Sequence, residues 1–510
     1  MSKSLDNDSR TSNSIKNIIF GFGNTMIMMI LGFVNRSVFV HCLSMDYLGI
    51  SGLFSDILSM LSLADLGFGT AMVYSMYKPL AEKDYDRLAG LIGIYKKIYR
   101  VIAIGITTIG LALIPFLGYI IKLDGNLPYI KVYYVLYLMN TVASYLVVYK
   151  TSIVSADQKG YILTNYRSMF SIIQTICMTL FLYLTKNYMV YLCVQVFFTY
   201  TTNFYMSHIA KKMYPFIERK VSLPFSEAKD IFKNIKSVFI YKLSGILLNA
   251  TDNTLISVLI GTAMVGYCSN YNMVATKITA VISTLFYSLT ASLGNLVVLE
   301  NEEKRYRIFQ IMQTVSNILS TVCVTCVYFL LEDLIRVWLG ESYILEKRVL
   351  IAITCNFYLG VALFPIWTFR EATGLYRKTK YIMLATATIN LVLSVVLGKT
   401  IGLSGIIFAS AISRVVTYFW VEPKLLFRTY FGKSCLVYFL GIAKSLLTMF
   451  VIFLLEYFII RYMIPQTWLS LFLKAVLVGG ISLAVTILVY CKTEGFQLIK
   501  QKVMGMIQKN

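Results

Sequence analysis

The sequence is short of charge. Only 14% of its 510 residues are Asp, Glu, Lys or Arg, where a soluble domain carries about a quarter. That excludes an ordinary water-soluble globular protein. Histidine is rarer still, His41 and His208 being the only two. With no HExxH, no GxSxG and no phosphate-binding loop either, no constellation remains on which to build an enzyme. Nine cysteines lie almost entirely in apolar stretches, and Cys323 and Cys326 share one helical face of the run 311–331. A zinc site needs further Cys or His ligands, so neither a metal nor a cofactor is expected. Large outward loops are also missing, the longest running from about Glu332 to Glu346, which argues against a glycan polymerase or ligase.

What the sequence does have is apolar length. Hydrophobic residues make up 57% of the chain and the mean hydropathy is +0.69. They gather into runs of about 20 residues or more, each long enough to cross a bilayer as a helix. Fourteen runs are expected, over 18–43, 48–76, 98–121, 130–156, 162–184, 189–210, 237–261, 265–299, 307–331, 347–369, 381–398, 402–422, 436–460 and 469–490. The fold class is therefore an all-α polytopic membrane protein with about 14 transmembrane helices. The first run is too long, and lacks the small-residue site, to be a removable signal peptide. Pro115 and Pro365 are placed to kink the third and tenth spans.

The net charge of +22 invites a nucleic-acid reading, but the positions of the charges decide otherwise. With the N-terminus inside, 33 of the 47 basic residues fall in inside segments, eight outside and six within spans. Lys and Arg accumulate in cytoplasmic loops, so both termini are expected in the cytoplasm. Trp338 and Trp468 then fall near outer interfaces, and Trp367 and Trp420 near inner ones, as an aromatic belt requires. No groove-forming basic and aromatic motif occurs, so no nucleic-acid partner is expected. The stretch Leu80 to Lys97 reads as an amphipathic segment on the membrane surface. The basic tail from Lys492 reads as a contact for anionic lipid.

The longest connection, 211–236, is basic and contains Pro215 and Pro224. It divides the chain into an N-terminal lobe 1–210 (spans one to six), a linker 211–236 and a C-terminal lobe 237–423 (spans seven to twelve). Spans thirteen and fourteen and the tail follow over 424–510. Asn35-Arg36 precedes Leu48-Gly49 by the spacing that separates Asp252-Asn253 from Val265-Gly266, a weak internal repeat of the kind from which transporters are built.

Charges inside spans are costly in lipid and so face a cavity or a partner. Span seven carries Lys242, Asn249 and Asn253 on one helix face, flanked by Asp252. Span eight carries Asn270, Lys277, Thr284, Ser288 and Asn295 on nearly one face. Span one aligns Asn17, Asn24 and Asn35 beside Arg36, span two holds Asp56 and Asp65, and span twelve groups Ser410, Arg414 and Thr417. Together these stripes read as the lining of a hydrated, net cationic path. The opposing reading is that Asp65 and Asp252 merely neutralise a nearby base, while Arg36 and Lys242 snorkel to an interface. Lys444, Glu456 and Lys474, in the last two spans, are either interfacial or paired with one another.

Three stretches, Tyr47 to Arg100 (YLGISGLFSDILSMLSLADLGFGTAMVYSMYKPLAEKDYDRLAGLIGIYKKIYR), Ala250 to Tyr271 (ATDNTLISVLIGTAMVGYCSNY) and Leu334 to Tyr343 (LIRVWLGESY), carry a resemblance. With the fourteen spans, they make the chain resemble the polysaccharide repeat-unit flippases of the multidrug/oligosaccharidyl-lipid/polysaccharide exporter superfamily. The resemblance implies two six-helix lobes in a MATE-like V-shape with alternating access, plus two extra C-terminal helices. It implies an undecaprenyl-pyrophosphate-linked glycan as cargo, in the bacterial cytoplasmic membrane among its lipids and near the polysaccharide polymerase and assembly machinery. It further implies coupling to a gradient of H⁺ or Na⁺. The path residues are then Arg36, Lys242, Asn249, Asn253, Lys277 and Arg414, with Asp65 and Asp252 as charge-pair or ion-coupling residues. An ion-coupled drug or metabolite antiporter of the same fold is the main alternative. It would present more acids than bases to a cationic drug.

Overall fold

Within a hydrocarbon layer no water satisfies a peptide group, so each spanning segment must close its own hydrogen bonds. The computed structural model describes residues 23, 26–62, 68–122, 127–157, 159–223, 243–248 and 250–507, and among them there is no strand. Wherever the fourteen apolar runs are described, they are helical.

The helices in order are α1 (Met26–Cys42), α2 (Met45–Leu61), α3 (Phe68–Ala81), α4 (Tyr85–Ala112), α5 (Leu117–Ile120), α6 (Ile130–Tyr145), α7 (Val148–Ala156), α8 (Gly160–Thr185) and α9 (Tyr188–Met213). After α10 (residues 250–259) come α11 (Thr262–Tyr287), α12 (Thr290–Leu299), α13 (Glu302–Leu339), α14 (Lys347–Ala362), α15 (Phe364–Thr373) and α16 (Tyr376–Ile401). The chain ends with α17 (Leu403–Val416), α18 (Tyr418–Leu426), α19 (Leu436–Ile460), α20 (Trp468–Tyr490) and α21 (Glu494–Ile507). Among the described residues, seven helical segments are long and apolar enough to cross a membrane alone, and two bent pairs bring the number to nine.

The chain divides into two compact units. One is Met1–Ile246 with Gly261–Ala263, the other Leu247–Ile260 with Met264–Asn510. The last two spans, α19 and α20, belong to the second unit and pack on its α13.

Two of the breaks fall where the sequence places proline. Pro115 lies in a short 3₁₀ turn between α4 and α5. Pro365 opens α15, which is bent 44° from α14. The equal bend between α6 and α7 has no proline. Span eight ends in a break at Leu289, after which α12 starts afresh.

One expectation is overturned. Residues 80–97 do not form a separate surface helix. Asp84 accepts from the Arg87 amide at 2.9 Å and starts α4, which continues directly into span three. Leu88, Leu91, Ile92, Tyr95 and Tyr99 of this extension are buried in protein. Part of that cover is the chain that follows α9: Phe216 packs on Tyr85, Arg219 pairs with Asp86 at 2.9 Å, and Leu223 lies against Gly90. The apolar face that suits a membrane surface also suits a protein groove, and periodicity alone does not separate the two.

The α16–α17 hairpin turns on Gly402, whose φ of +68° and ψ of −143° favour glycine. At Gly405 the neighbouring backbone comes closer still: a Cβ there would collide with the Leu397 carbonyl and the Ile401 side chain. Gly405→Ala is therefore expected to cost about 1–3 kcal/mol, the usual range for overpacking, read as a lowered thermal midpoint of the purified protein. Gly245→Ala, with nothing near its Cβ, is the control.

Candidate functional site

In the second unit, α10, α16 and α17 bring three polar side chains together in an otherwise apolar bundle. Ser410 Oγ donates to Asp252 Oδ2 at 3.0 Å, and Asn390 Nδ2 donates to Ser410 Oγ at 2.9 Å. Asn390 and Ser410 are buried and Asp252 is half-buried. Ser394 follows Asn390 by one turn on the same α16 face. Asp252 Oδ1, Asn390 Oδ1 and Ser394 Oγ are sealed from solvent and meet no hydrogen-bond partner among the described residues. Buried polar oxygens are almost always bonded, so three unmatched ones in one region ask for a ligand. An all-oxygen set with one carboxylate fits a hard cation or a proton and does not suit a soft metal. Arg414 of α17 and Cys268 of α11 lie within electrostatic reach of Asp252.

The first unit has its own polar knot. Asn35 on α1 donates to Thr179 Oγ1 on α8 at 2.8 Å and accepts from Tyr191 Oη on α9 at 3.0 Å. Ser51 Oγ meets Tyr137 Oη at 2.6 Å, which meets Tyr188 Oη at 3.1 Å. Arg36 is half-buried, within electrostatic reach of the Tyr191 and Tyr137 hydroxyls. Phe39, Tyr47, Tyr133, Tyr188 and Tyr191 pack edge-on and stacked beside it.

The remaining sequence candidates scatter. Lys277 is half-buried on α11; Asn270, two turns earlier, is buried, while Thr284 and Ser288 are exposed. The α11 stripe thus passes from the interior to the surface of its unit. Arg414 is half-buried on α17, and Thr417, beyond it, shares a 2.7 Å hydrogen bond with Thr386. Asn253 is half-buried beside Asp252. Lys242, Asn249 and Asp65, with Asn17 and Asn24, lie outside the described residues.

Three charged residues of the last spans do not pair with one another. Lys474 donates to Asp333 Oδ2 at 2.6 Å and to the Met463 carbonyl at 2.8 Å. Lys444 donates to the Val489 carbonyl at 3.1 Å, and Glu456 bonds Ser482 at 2.7 Å. Asp333 also bonds Arg336, which bonds Glu332 at 3.0 Å. Asp333, Arg336 and Lys474 thereby staple α20 to α13. A further buried ion pair joins Arg370 of α15 to both oxygens of Glu422 on α18, at 2.9 and 3.0 Å. By charge counting Arg370 is one of the 33 inside basic residues, because it directly follows the apolar run 347–369.

Sequence reading missed Asn390, Ser394, Glu422 and Asp333. The signal was there for the first two: an Asn and a Ser spaced by four in an apolar span. Their span 381–398 holds no charge, so a search that starts from charged spans passes over them.

No protein-family model and no curated protein matches the sequence. Solved structures do. The chain is similar to the lipid II flippase MurJ in an inward closed conformation, with a TM-score of 0.65 and 16% identity over 92% of this chain and 99% of that one. It is similar to an inward-facing multidrug resistance MATE family transporter of the MOP superfamily, at 0.60 and 14% over 81% and 99%. It is also similar to the Vibrio cholerae MATE transporter VcmN, at 0.54 and 13% over 84% and 100%. The fold is the all-helical membrane fold that these transporters share.

Proposed function

We propose that the protein is a flippase that moves undecaprenyl-pyrophosphate-linked oligosaccharide repeat units from the cytoplasmic to the outer leaflet of a bacterial cytoplasmic membrane, for surface polysaccharide assembly. The observation that carries the reading is the likeness to a lipid II flippase over 92% of this chain. The likeness to the two MATE transporters covers 81% and 84%. That difference is about the length of one helical hairpin.

The chemistry of the spans supports the same cargo. Arg36, Lys277 and Arg414 are half-buried cations on helices of apolar runs; Lys242 is a fourth by sequence. Cations so placed suit a pyrophosphate and acidic sugars, while the polyprenyl tail remains in lipid. Alternating access would open such cations to one leaflet and then the other, with both termini in the cytoplasm, as the basic-residue bias favours. Coupling to an H⁺ or Na⁺ gradient would use Asp252 with Asn390, Ser394 and Ser410. Their unmatched oxygens would hold the ion, whose arrival neutralises the carboxylate.

Deleting the gene in its host and measuring lipid-linked oligosaccharide by mass spectrometry, with its sidedness, tests the reading. Complete repeat units are expected to accumulate on the cytoplasmic leaflet while surface polymer is lost. Unchanged glycan with altered drug tolerance would instead establish an antiporter. Units that reach the outer face unpolymerised would point to a polymerase or ligase. Within the flippase reading, Lys277→Ala and Arg414→Ala are expected to lower translocation about tenfold each, the loss of about 1.4 kcal/mol from a charge-assisted contact. Membrane abundance should stay near wild type. Transport unaffected in both variants would sink the cationic path.

A further inference from the structure

Glu456 lies on α19, a strongly apolar span of the second unit, and is fully buried. A row of polar side chains leads to it. On α13, Gln313, Asn317, Thr321 and Thr325 recur at every fourth position, which keeps them on one face. Gln313 donates to the Tyr438 carbonyl at 3.0 Å and Asn317 to the Gly441 carbonyl at 3.4 Å. Thr321 Oγ1 meets Ser445 Oγ at 3.1 Å, and Thr325 Oγ1 meets Ser482 Oγ of α20 at 3.0 Å. Ser482 Oγ stands 2.7 Å from Glu456 Oε1, where the row ends.

The bases of these helices are engaged elsewhere. On α20, Lys474 is held by Asp333 and the Met463 carbonyl. On α19 itself, Lys444 is held by the Val489 carbonyl. From α13 the titratable group in reach is the Cys326 thiol. Glu456 Oε2 is sealed from solvent and has no hydrogen-bond partner among the described residues. A carboxylate anion in this setting would exchange its hydration for a single hydroxyl contact, which is strongly unfavourable. A neutral acid avoids that loss.

The hydrogens can be counted. Thr325 donates to the Thr321 carbonyl at 2.5 Å, so its oxygen accepts from Ser482. A serine has one hydroxyl hydrogen, and this contact uses it. With that hydrogen committed to Thr325, a neutral Glu456 supplies the hydrogen of its 2.7 Å contact with Ser482.

We propose that Glu456 is a proton-binding site in the C-terminal hairpin, holding an exchangeable proton that it donates to Ser482 while α19 and α20 pack on α13. On release the proton passes to water and the carboxylate remains. The hydroxyls then reverse, with Thr325 donating to Ser482 and Ser482 to Glu456. The site is separate from the one at Asp252, and the proposal does not depend on the flippase reading.

Infrared difference spectroscopy of the full chain in lipid nanodiscs at neutral pH tests it. The wild type is expected to show a carboxylic-acid C=O band that is lost in Glu456→Gln, shifts down in D₂O, and shifts up in Ser482→Ala as the hydrogen bond is removed. No difference between wild type and Glu456→Gln in that region means the group is ionised, and the proposal fails. A band that ignores Ser482→Ala overturns the assigned donor, and one that ignores D₂O overturns exchange. Should Glu456→Gln fail to fold, the Ser482→Ala shift and the D₂O shift of the wild-type band carry the test by themselves.

Discussion

Arg370→Ala is expected to abolish most folded protein. The guanidinium bonds both oxygens of Glu422, which has no exposed surface, and Arg370 is itself buried. Removing one partner of a buried ion pair strands the other charge and costs about 3–5 kcal/mol. That is a large part of the roughly 5–15 kcal/mol that holds a typical protein together. Size-exclusion profiles and thermal midpoints of the purified protein read the loss. The double variant Arg370→Met/Glu422→Leu should recover most of it, because replacing both charges with apolar groups of similar volume is often neutral or better. If the single variant is as stable as wild type, the pair is not what holds α15 to α18. If the double variant is no better than the single one, the loss comes from packing around Arg370, including Glu371 at 3.4 Å and the Trp367 ring.

On the ion-coupled transport proposed above, Asp252→Asn is expected to have the other large effect, and on transport instead of stability. The substitution keeps the shape and an acceptor for Ser410 but removes the one carboxylate among the unmatched oxygens of α10, α16 and α17. Altering even an outer-shell partner of a bound ion costs about 10–100-fold in affinity, and loss of a direct carboxylate ligand should cost at least that. Ion-driven translocation in proteoliposomes should fall by about that factor and lose its dependence on the driving ion. Abundance and thermal midpoint should stay close to wild type. Asn390→Ala should act in the same direction with a smaller effect. Wild-type ion dependence in Asp252→Asn would reduce the cluster to a packing contact between helices.

These two residues illustrate different limits of sequence reading. Asp252 stood out because a carboxylate in an apolar run is expensive wherever it points, but Asn390, linked to it through Ser410, did not, since its span 381–398 holds no charge. Arg370 counts among the inside basic residues because it directly follows an apolar run and is followed by Arg377, Lys378 and Lys380. Only the return of α18 beside α15 buries it and supplies Glu422. Lys474 and Glu456 were legible as anomalies in spans fourteen and thirteen, but of the two alternatives open for them, pairing with one another is not what the structure shows. Lys474 instead finds Asp333, which lies 141 positions away. The segment 80–97 failed for a related reason. Its apolar face was read correctly, but the cover is protein.

The sequence by itself determined the class, the helical spans and the breaks at Pro115 and Pro365. Hydropathy over about 20 residues and the need to bond every backbone group in lipid are local conditions, and proline acts on its own turn. The tertiary structure alone decided which polar side chains meet. Partners such as Asp252 and Ser410, Arg370 and Glu422, or Glu456 and Ser482 sit on different helices. Their distances depend on how those helices cross and rotate, which is set by packing summed over many residues. No window along the chain contains that information.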